Sequence, residues 1–249
     1  MKIDRFNIGK LKVSKVNLPI TLTQIEKALS NSNKGFICVT NSRTAFLANK
    51  DPEYCSILNN SLVTVPDGSP LVWIARNKGC DVVGKVSGID LMYALFAISH
   101  EKNYSHYFYG SSPNVIEKLQ FDLNGKYPGI AIKGAVSPAF QPLEYFDADE
   151  IAKEINKLKP TFFWCGLGAP KQERLIALLQ PKLENTICIG VGLALEYSGG
   201  TVKRAPAWMC SSGLEWVYRL FQQPQNIKRA IIPFSWVIVR LILSYIRKR

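Results

Sequence analysis

Short apolar runs rich in Val, Ile, Phe and Cys alternate with helical patterns along most of this chain, and that alternation limits the folds open to it. β-rich runs fall at 35–40, 61–65, 106–109, 130–135, 161–166 and 187–192. Segments of helical periodicity lie at 23–30, 42–49, 53–59, 69–77, 90–100, 113–123 and 149–158, with one more ending at Leu179. Parallel strands need long crossovers, and helices supply them. The pattern therefore predicts an α/β fold: a doubly wound, mostly parallel Rossmann-like sheet with helices on both faces. Loose alternation over 6–16, with a turn at Asn7 to Lys10, predicts an edge hairpin. A chain of 249 residues accommodates one such domain and an appendage. The division is placed at 200, with 1–200 as the α/β domain and 201–249 as a C-terminal appendage.

In such a sheet, ligands meet the carboxyl ends of the strands. The run 61–65 and the turn Pro66-Asp67-Gly68 deliver a carboxylate there, ahead of a helix with Pro70 in its first turn. Asp67 is thus the first candidate for a catalytic group, although Asp-Gly is also a frequent turn pair. Asn41 closes an earlier strand. Glycines mark other strand-to-helix junctions, at Gly110, Gly166, Gly168, Gly190 and Gly192. Glycine admits close backbone approach and a helix N-terminus offers amide donors to a phosphate; each of these glycines also suits a plain tight turn. No GxGxxG fingerprint or Walker A loop occurs, and Lys171 stands where a third glycine would follow Gly166 and Gly168. A nucleoside diphosphate fits these loops better than a nicotinamide dinucleotide.

Lys and Arg outnumber Asp and Glu by 31 to 19, and the formal charge of +12 calls for an anionic partner. No acidic residue follows Glu215, whereas Arg219, Lys228, Arg229, Arg240, Arg247, Lys248 and Arg249 do. These cations surround an apolar run over 230–246 that Pro233 and Arg240 interrupt. A spanning helix takes about 20 mostly apolar residues. An interfacial or shallow re-entrant helix is therefore expected, with Trp236 and Tyr245 at headgroup level and the cations facing anionic lipid. A nucleic-acid groove binder would expose a polar basic face instead. The six cysteines are scattered without a CxxC pair and there are two histidines, so no zinc site or other metal is expected, and Cys38, Cys165 and Cys188 read as reduced core residues. Residues 1–5 carry no apolar core of the signal-peptide kind, which predicts a cytosol-side protein.

Taken in order, Asn41, Pro66-Asp67-Gly68, the Lys85 to Asp90 segment, Tyr109-Gly110, the block Gly166-Leu167-Gly168-Ala169-Pro170-Lys171-Gln172-Glu173, Gly190-Val191-Gly192, Arg204-Ala205-Pro206 and the Gly213 to Arg219 segment form a series. It closely resembles the WecG/TagA/CpsF glycosyltransferase family over about 35–229. The resemblance implies an inverting transferase without cofactor or metal. It would move a sugar, typically of N-acetylmannosamine type, from UDP to a sugar on undecaprenyl pyrophosphate in surface polysaccharide synthesis. The place implied is the cytoplasmic face of the bacterial inner membrane, with peripheral attachment. Implied partners are the UDP-sugar, the polyprenyl-pyrophosphate-linked acceptor and an anionic membrane surface, with no nucleic acid; self-association stays open.

By the same resemblance Asp67 is the general base, and Thr40 and Asn41 lie by the sugar, with Val39 in the usual threonine position. Lys85 stands where the family usually has arginine, keeping the charge but not the bidentate fork. Gln172 would hydrogen-bond the sugar or nucleotide, or cap its helix. Gly110, Gly190, Gly192 and Arg204 complete the expected substrate-binding set. Arg219 and Arg229 match arginines that the appendage brings to the site, while Asn226 replaces a third. Asp90 is read as a helix N-cap, Lys171 and Glu173 as an exposed or structural pair, and Glu196 as architectural or substrate-contacting. The alternative is a non-catalytic UDP-sugar-binding protein at the membrane surface, which would have no need of a base at Asp67.

Overall fold

The computed structural model describes residues 3–31, 35–212, 214–222 and 227–246. The chain opens with an antiparallel hairpin, β1 (Arg5–Ile8) and β2 (Leu11–Ser14). Helix α1 (Leu18–Ser30) begins before the expected Thr23, because Asn17 caps it: its side chain accepts from the Ile20 amide at 3.0 Å, and Pro19 occupies the first turn. There follow β3 (Gly35–Thr40), α2 (Ser42–Lys50), α3 (Pro52–Asn59), β4 (Val63–Pro66) and α4 (Ser69–Asn77). Helix α5 (Gly88–Lys102) is capped by Ser87, whose Oγ accepts from the Asp90 amide at 3.2 Å; Asp90 is one turn in and is not the N-cap.

The chain continues through β5 (Ser105–Gly110), α6 (Pro113–Lys126), β6 (Ala131–Val136), α7 (Ala148–Leu158), β7 (Phe162–Gly166), α8 (Lys171–Leu179), β8 (Ile187–Gly190) and α9 (Ala194–Ser198). It ends in α10 (Ala207–Ser212), α11 (Glu215–Gln222) and α12 (Ile227–Ile246).

Six parallel strands form one sheet in the order β4-β3-β8-β7-β5-β6. Strand alternation sends Phe36, Cys38, Phe163, Cys165 and Cys188 to one face, under the hairpin, α2, α3, α4, α7 and α8. Ile37, Val39, Phe162, Trp164, Ile187 and Ile189 point to the other, under α1, α5, α6 and α9. The doubly wound arrangement expected from the alternation is present. Within the second core His106 is fully buried. Trp164 Nε1 donates to its Nδ1 at 3.0 Å, and its Nε2 lies 2.8 Å from Ser99 Oγ. Burial lowers its pKa to about 3, so it is a neutral core residue.

Strands β3 and β8 are neighbours, yet the chain leaves β3 over the first face, through α2, and leaves β8 over the second, through α9. Their carboxyl ends therefore part company and open a crevice, the topological switch point of this sheet.

Helix α12 continues through Pro233 and lies against α2 and α4. Val237 is fully buried. The Trp236 ring meets Phe46 edge-on at 5.9 Å, Arg240 sits 5.1 Å from that ring, and Asn77 Nδ2 donates to Ser244 Oγ at 2.6 Å. Trp236 thus packs against α2. Tyr245 and the opposite face, with Ile231, Val239, Ile242 and Ile246, are exposed. Among the described residues no helix is long and apolar enough to cross a membrane.

Candidate active site

The crevice between β3 and β8 holds a cavity of about 480 Å³, within the range of small-molecule sites. Asn41, Asp67, Lys85, Gln172, Gly190 and Gly192 all line it. They come from four strand ends, those of β3, β4, β7 and β8, and from the loop between α4 and α5 that carries Lys85. Asn41 is also the α2 N-cap, its Oδ1 accepting from the Thr44 amide at 3.1 Å. Asp67 is fixed through its backbone: its amide donates to the Thr40 carbonyl at 2.7 Å, tying the end of β4 to the end of β3. The Val86 amide donates to the Pro66 carbonyl at 2.8 Å, which lays the loop bearing Lys85 and Ser87 alongside the Asp67 turn.

Gln172 is buried, and its amide orientation follows from its partners. Oε1 accepts from the Gly168 amide at 3.1 Å while Nε2 donates to Glu173 Oε1 at 2.7 Å. It therefore pins the Gly166–Gly168 loop ahead of α8, which is the structural one of the two roles that sequence left open. A Cβ at Gly190 would lie 3.0 Å from Gln172 Nε2, so glycine there keeps room for that amide. Glu173 is fully buried and makes no pair with Lys171, contrary to the expectation for these two. Tyr54 donates to its Oε2 at 3.0 Å, and burial pushes its carboxyl above the usual range against the hydrogen bonds it accepts. Lys171 instead donates to the Gln141 carbonyl at 2.6 Å and sits over the Phe140 ring at 4.7 Å.

Other expected site residues lie outside the cavity wall. Thr40 is fully buried at the end of β3, and its Oγ1 has no partner among the described residues; its carbonyl is what serves Asp67. Gly110 has φ +128, and a Cβ there would come within 2.7 Å of the Gly166 backbone, so its missing side chain serves the close approach of β5 to β7. Arg204 bonds Asp90 with both terminal nitrogens, at 2.7 and 2.9 Å. The side chains of Arg219 and Arg229, with Asn226 and Arg247 to Arg249, lie outside the described residues.

Three cavity-lining groups carry charge that the sequence reading did not assign to the site or left ambiguous. Arg43 stands in the first turn of α2, two residues past Asn41, and Glu215 reaches in from α11. Glu196, on α9, also lines the wall, and burial raises its carboxyl above the usual range. A basic residue just inside a strand-end helix was the available signal for Arg43. Glu215 was visible as part of a motif, but nothing local tied it to the site. Among the described residues no group of three or more His, Cys, Asp or Glu could hold a metal ion. The Asp147-Ala148-Asp149 triplet lies outside this cavity: Asp147 caps α7 and Asp149 pairs with Lys182 at 2.5 Å.

The sequence profile of the Glycosyl transferase WecG/TagA/CpsF family matches residues 6–249. The chain is similar to an N-acetylglucosaminyldiphosphoundecaprenol N-acetyl-beta-D-mannosaminyltransferase of Bacillus subtilis (strain 168), with 30% identity over 216 residues, 86% of this chain and 82% of that protein. Proteins of the same name from Bacillus spizizenii (strain W23) and Staphylococcus aureus (strain MW2) are each 28% identical, covering 90% and 91% of this chain and 86% and 90% of their own lengths. With a matching profile over nearly its whole length and a carboxylate-bearing cavity at the switch point of its sheet, the chain belongs to the WecG/TagA/CpsF family of glycosyl transferases.

Proposed function

We propose that this protein transfers a sugar of N-acetylmannosamine type from UDP to a sugar carried on undecaprenyl diphosphate, with inversion at the anomeric carbon. The observation that carries the reading is the placement of Asp67 at a strand end in the wall of a cavity that also holds Lys85 and Arg43. The relatives' names supply the acceptor class and the sugar.

The chemistry is a single displacement. The Asp67 carboxylate takes the proton from the acceptor hydroxyl as that oxygen attacks the anomeric carbon. The bond from this carbon to the UDP oxygen breaks, and its electron pair leaves on the β-phosphate. Lys85 and the appendage arginines Arg219 and Arg229 offset the charge growing on the leaving diphosphate. Asn41 faces the sugar, and Gln172 holds the Gly166–Gly168 loop against the nucleotide. The exposed outer face of α12 and the C-terminal cations rest on the cytoplasmic leaflet of the bacterial inner membrane, where the lipid acceptor lies.

The test is a transfer assay with a panel of UDP-sugars against a short-chain polyprenyl-diphosphate-linked N-acetylglucosamine. Product with inverted linkage from a UDP-N-acetylmannosamine-type donor is expected. Retained UDP binding with no transfer from any donor would instead identify a non-catalytic binder.

A further inference from the structure

Lys85 faces the cavity already engaged. Glu215, the first residue of α11, places Oε2 2.6 Å from Lys85 Nζ, and the two side chains are 12% and 21% exposed. Both line the cavity. A second tie joins the same loop to the C-terminal segment, where Arg204 grips Asp90 and also reaches Ser87 Oγ at 3.5 Å. The two ties differ in kind. The Arg204 fork is bidentate and outside the cavity wall, whereas the Lys85 contact is one point charge on a flexible stem inside it.

We propose that Glu215 is a built-in competitor of the nucleotide diphosphate: it holds the Lys85 ammonium until the diphosphate arrives, then surrenders it. This rests on the reading that Lys85 contacts the diphosphate. A carboxylate and a diphosphate drawn to one ammonium in a partly buried cavity repel each other, so occupancy by one disfavours the other. The charge of the diphosphate pushes the Glu215 carboxylate away from the ammonium, so Glu215 moves towards water. Helix α11 can allow that movement, because it lies at the surface with Phe221 82% exposed and Leu214 just before it 40% exposed. Meanwhile the Arg204 fork keeps the loop beside Asp67. The consequence is a site that binds the diphosphate less tightly than its cations alone would dictate, which favours release of UDP after transfer.

Calorimetric titration of UDP into the full chain at one ionic strength tests this. Glu215→Gln should lower the UDP Kd at least threefold, whereas an unchanged or raised Kd overturns the proposal. Lys85→Met should raise the Kd about tenfold; if it binds UDP like wild type, the reading of Lys85 fails and the competitor role with it. If Lys85→Met weakens binding but Glu215→Gln does not strengthen it, only the competitor role is lost. Hydrogen exchange on the unmodified chain gives an answer that needs no variant to fold. UDP should speed exchange in α11, while uridine, lacking the diphosphate, should not; slowing of α11 by UDP overturns the proposal.

Discussion

Arg204 grips the Asp90 carboxylate through both terminal guanidinium nitrogens, at 2.7 and 2.9 Å. Asp90 in turn accepts from Ser87 Oγ at 2.5 Å, so the first turn of α5 and the Lys85–Ser87 loop are locked to the chain that follows β8. Burial alone would raise the Asp90 pKa, but the hydrogen bonds and charge of Arg204, with Ser87, outweigh it and hold the carboxyl below its usual range. Sequence placed Arg204 in the substrate site, whereas the geometry makes it a clamp on the loop that carries Lys85.

Arg204→Lys tests the clamp, because it keeps the charge and removes the fork. Both partners are about one-third exposed, so the stability loss should be modest, about 1 kcal/mol, visible as a drop of a few degrees in Tm. The KM for the UDP-sugar should rise several-fold while a well-populated fraction still turns over. Loss of kcat with KM unchanged would place Arg204 against the reacting atoms instead.

Asp67→Asn removes the carboxylate proposed as the base without changing the size of the side chain. Turnover should fall by about 10²- to 10⁴-fold, the usual contribution of a positioned base, while calorimetry finds UDP binding near wild type. Transfer near the wild-type rate would remove Asp67 from the base role and shift attention to Glu196 and Glu215, the other carboxylates in the cavity wall.

The strand ends were the legible part of the site. Asn41, Asp67, Gln172, Gly190 and Gly192 each follow or flank an apolar run, and parallel topology carries all such ends to one edge of the sheet. The sheet itself was readable for the same reason, since alternating strands and helices leave few connections open. Long-range partners were not readable. Nothing local around Glu173 announces that Tyr54, 119 residues away, will bond that buried carboxylate, and nothing around Lys85 announces that Glu215, 130 residues away, will pair with its ammonium. Asp90 was misread as a cap because Ser87, three residues earlier, takes that place and Asp90 completes the turn. The contact of Trp236 with Phe46 was likewise not readable, because apolar periodicity does not say which neighbour a helix face meets.

No divalent ion is expected to take part in the transfer, because the proposed mechanism assigns the positive charge that the leaving diphosphate needs to Lys85 and the appendage arginines. Turnover should survive an excess of EDTA. Activity abolished by the chelator and restored by magnesium or manganese would refute this.

His106 makes the fold acid-sensitive in a predictable direction. Its folded pKa is lowered by burial to about 3 from the ordinary histidine value of 6.5. The folded state therefore refuses a proton that the unfolded chain takes up, and stability present above pH 6.5 is lost as pH falls towards 3. Between pH 6.5 and 4.5 this single group should cost about 2–3 kcal/mol. His106→Phe should be less stable at neutral pH, having lost the Trp164 and Ser99 partners, yet show a flatter fall in urea midpoint over that interval. Parallel pH profiles in the two proteins would mean that His106 takes up no excess proton on unfolding.

Helix α12 has two apolar faces, and among the described residues one of them packs on the domain while the other is exposed. Ala230 and Phe234 line the cavity, Val237 is buried against the first core, and Ser244 is bonded to Asn77. Deleting the tail before Ala230 would therefore strip a cavity wall as well as any membrane contact, and would mix the two functions. Substitutions on the outer face separate them. Ile231, Val239, Ile242 and Ile246 are 43 to 63% exposed and recur at helical spacing along one side. Changing Ile242 and Ile246 together to Gln removes apolar area from that side while leaving the inner contacts intact. The double variant should keep its Tm within a few degrees and turn over a water-soluble acceptor analogue as wild type does. It should no longer sediment with anionic vesicles, and its rate on lipid-linked acceptor should fall accordingly. Sedimentation undiminished at the same ionic strength would assign membrane attachment to the cations alone, a contact that added salt should then abolish.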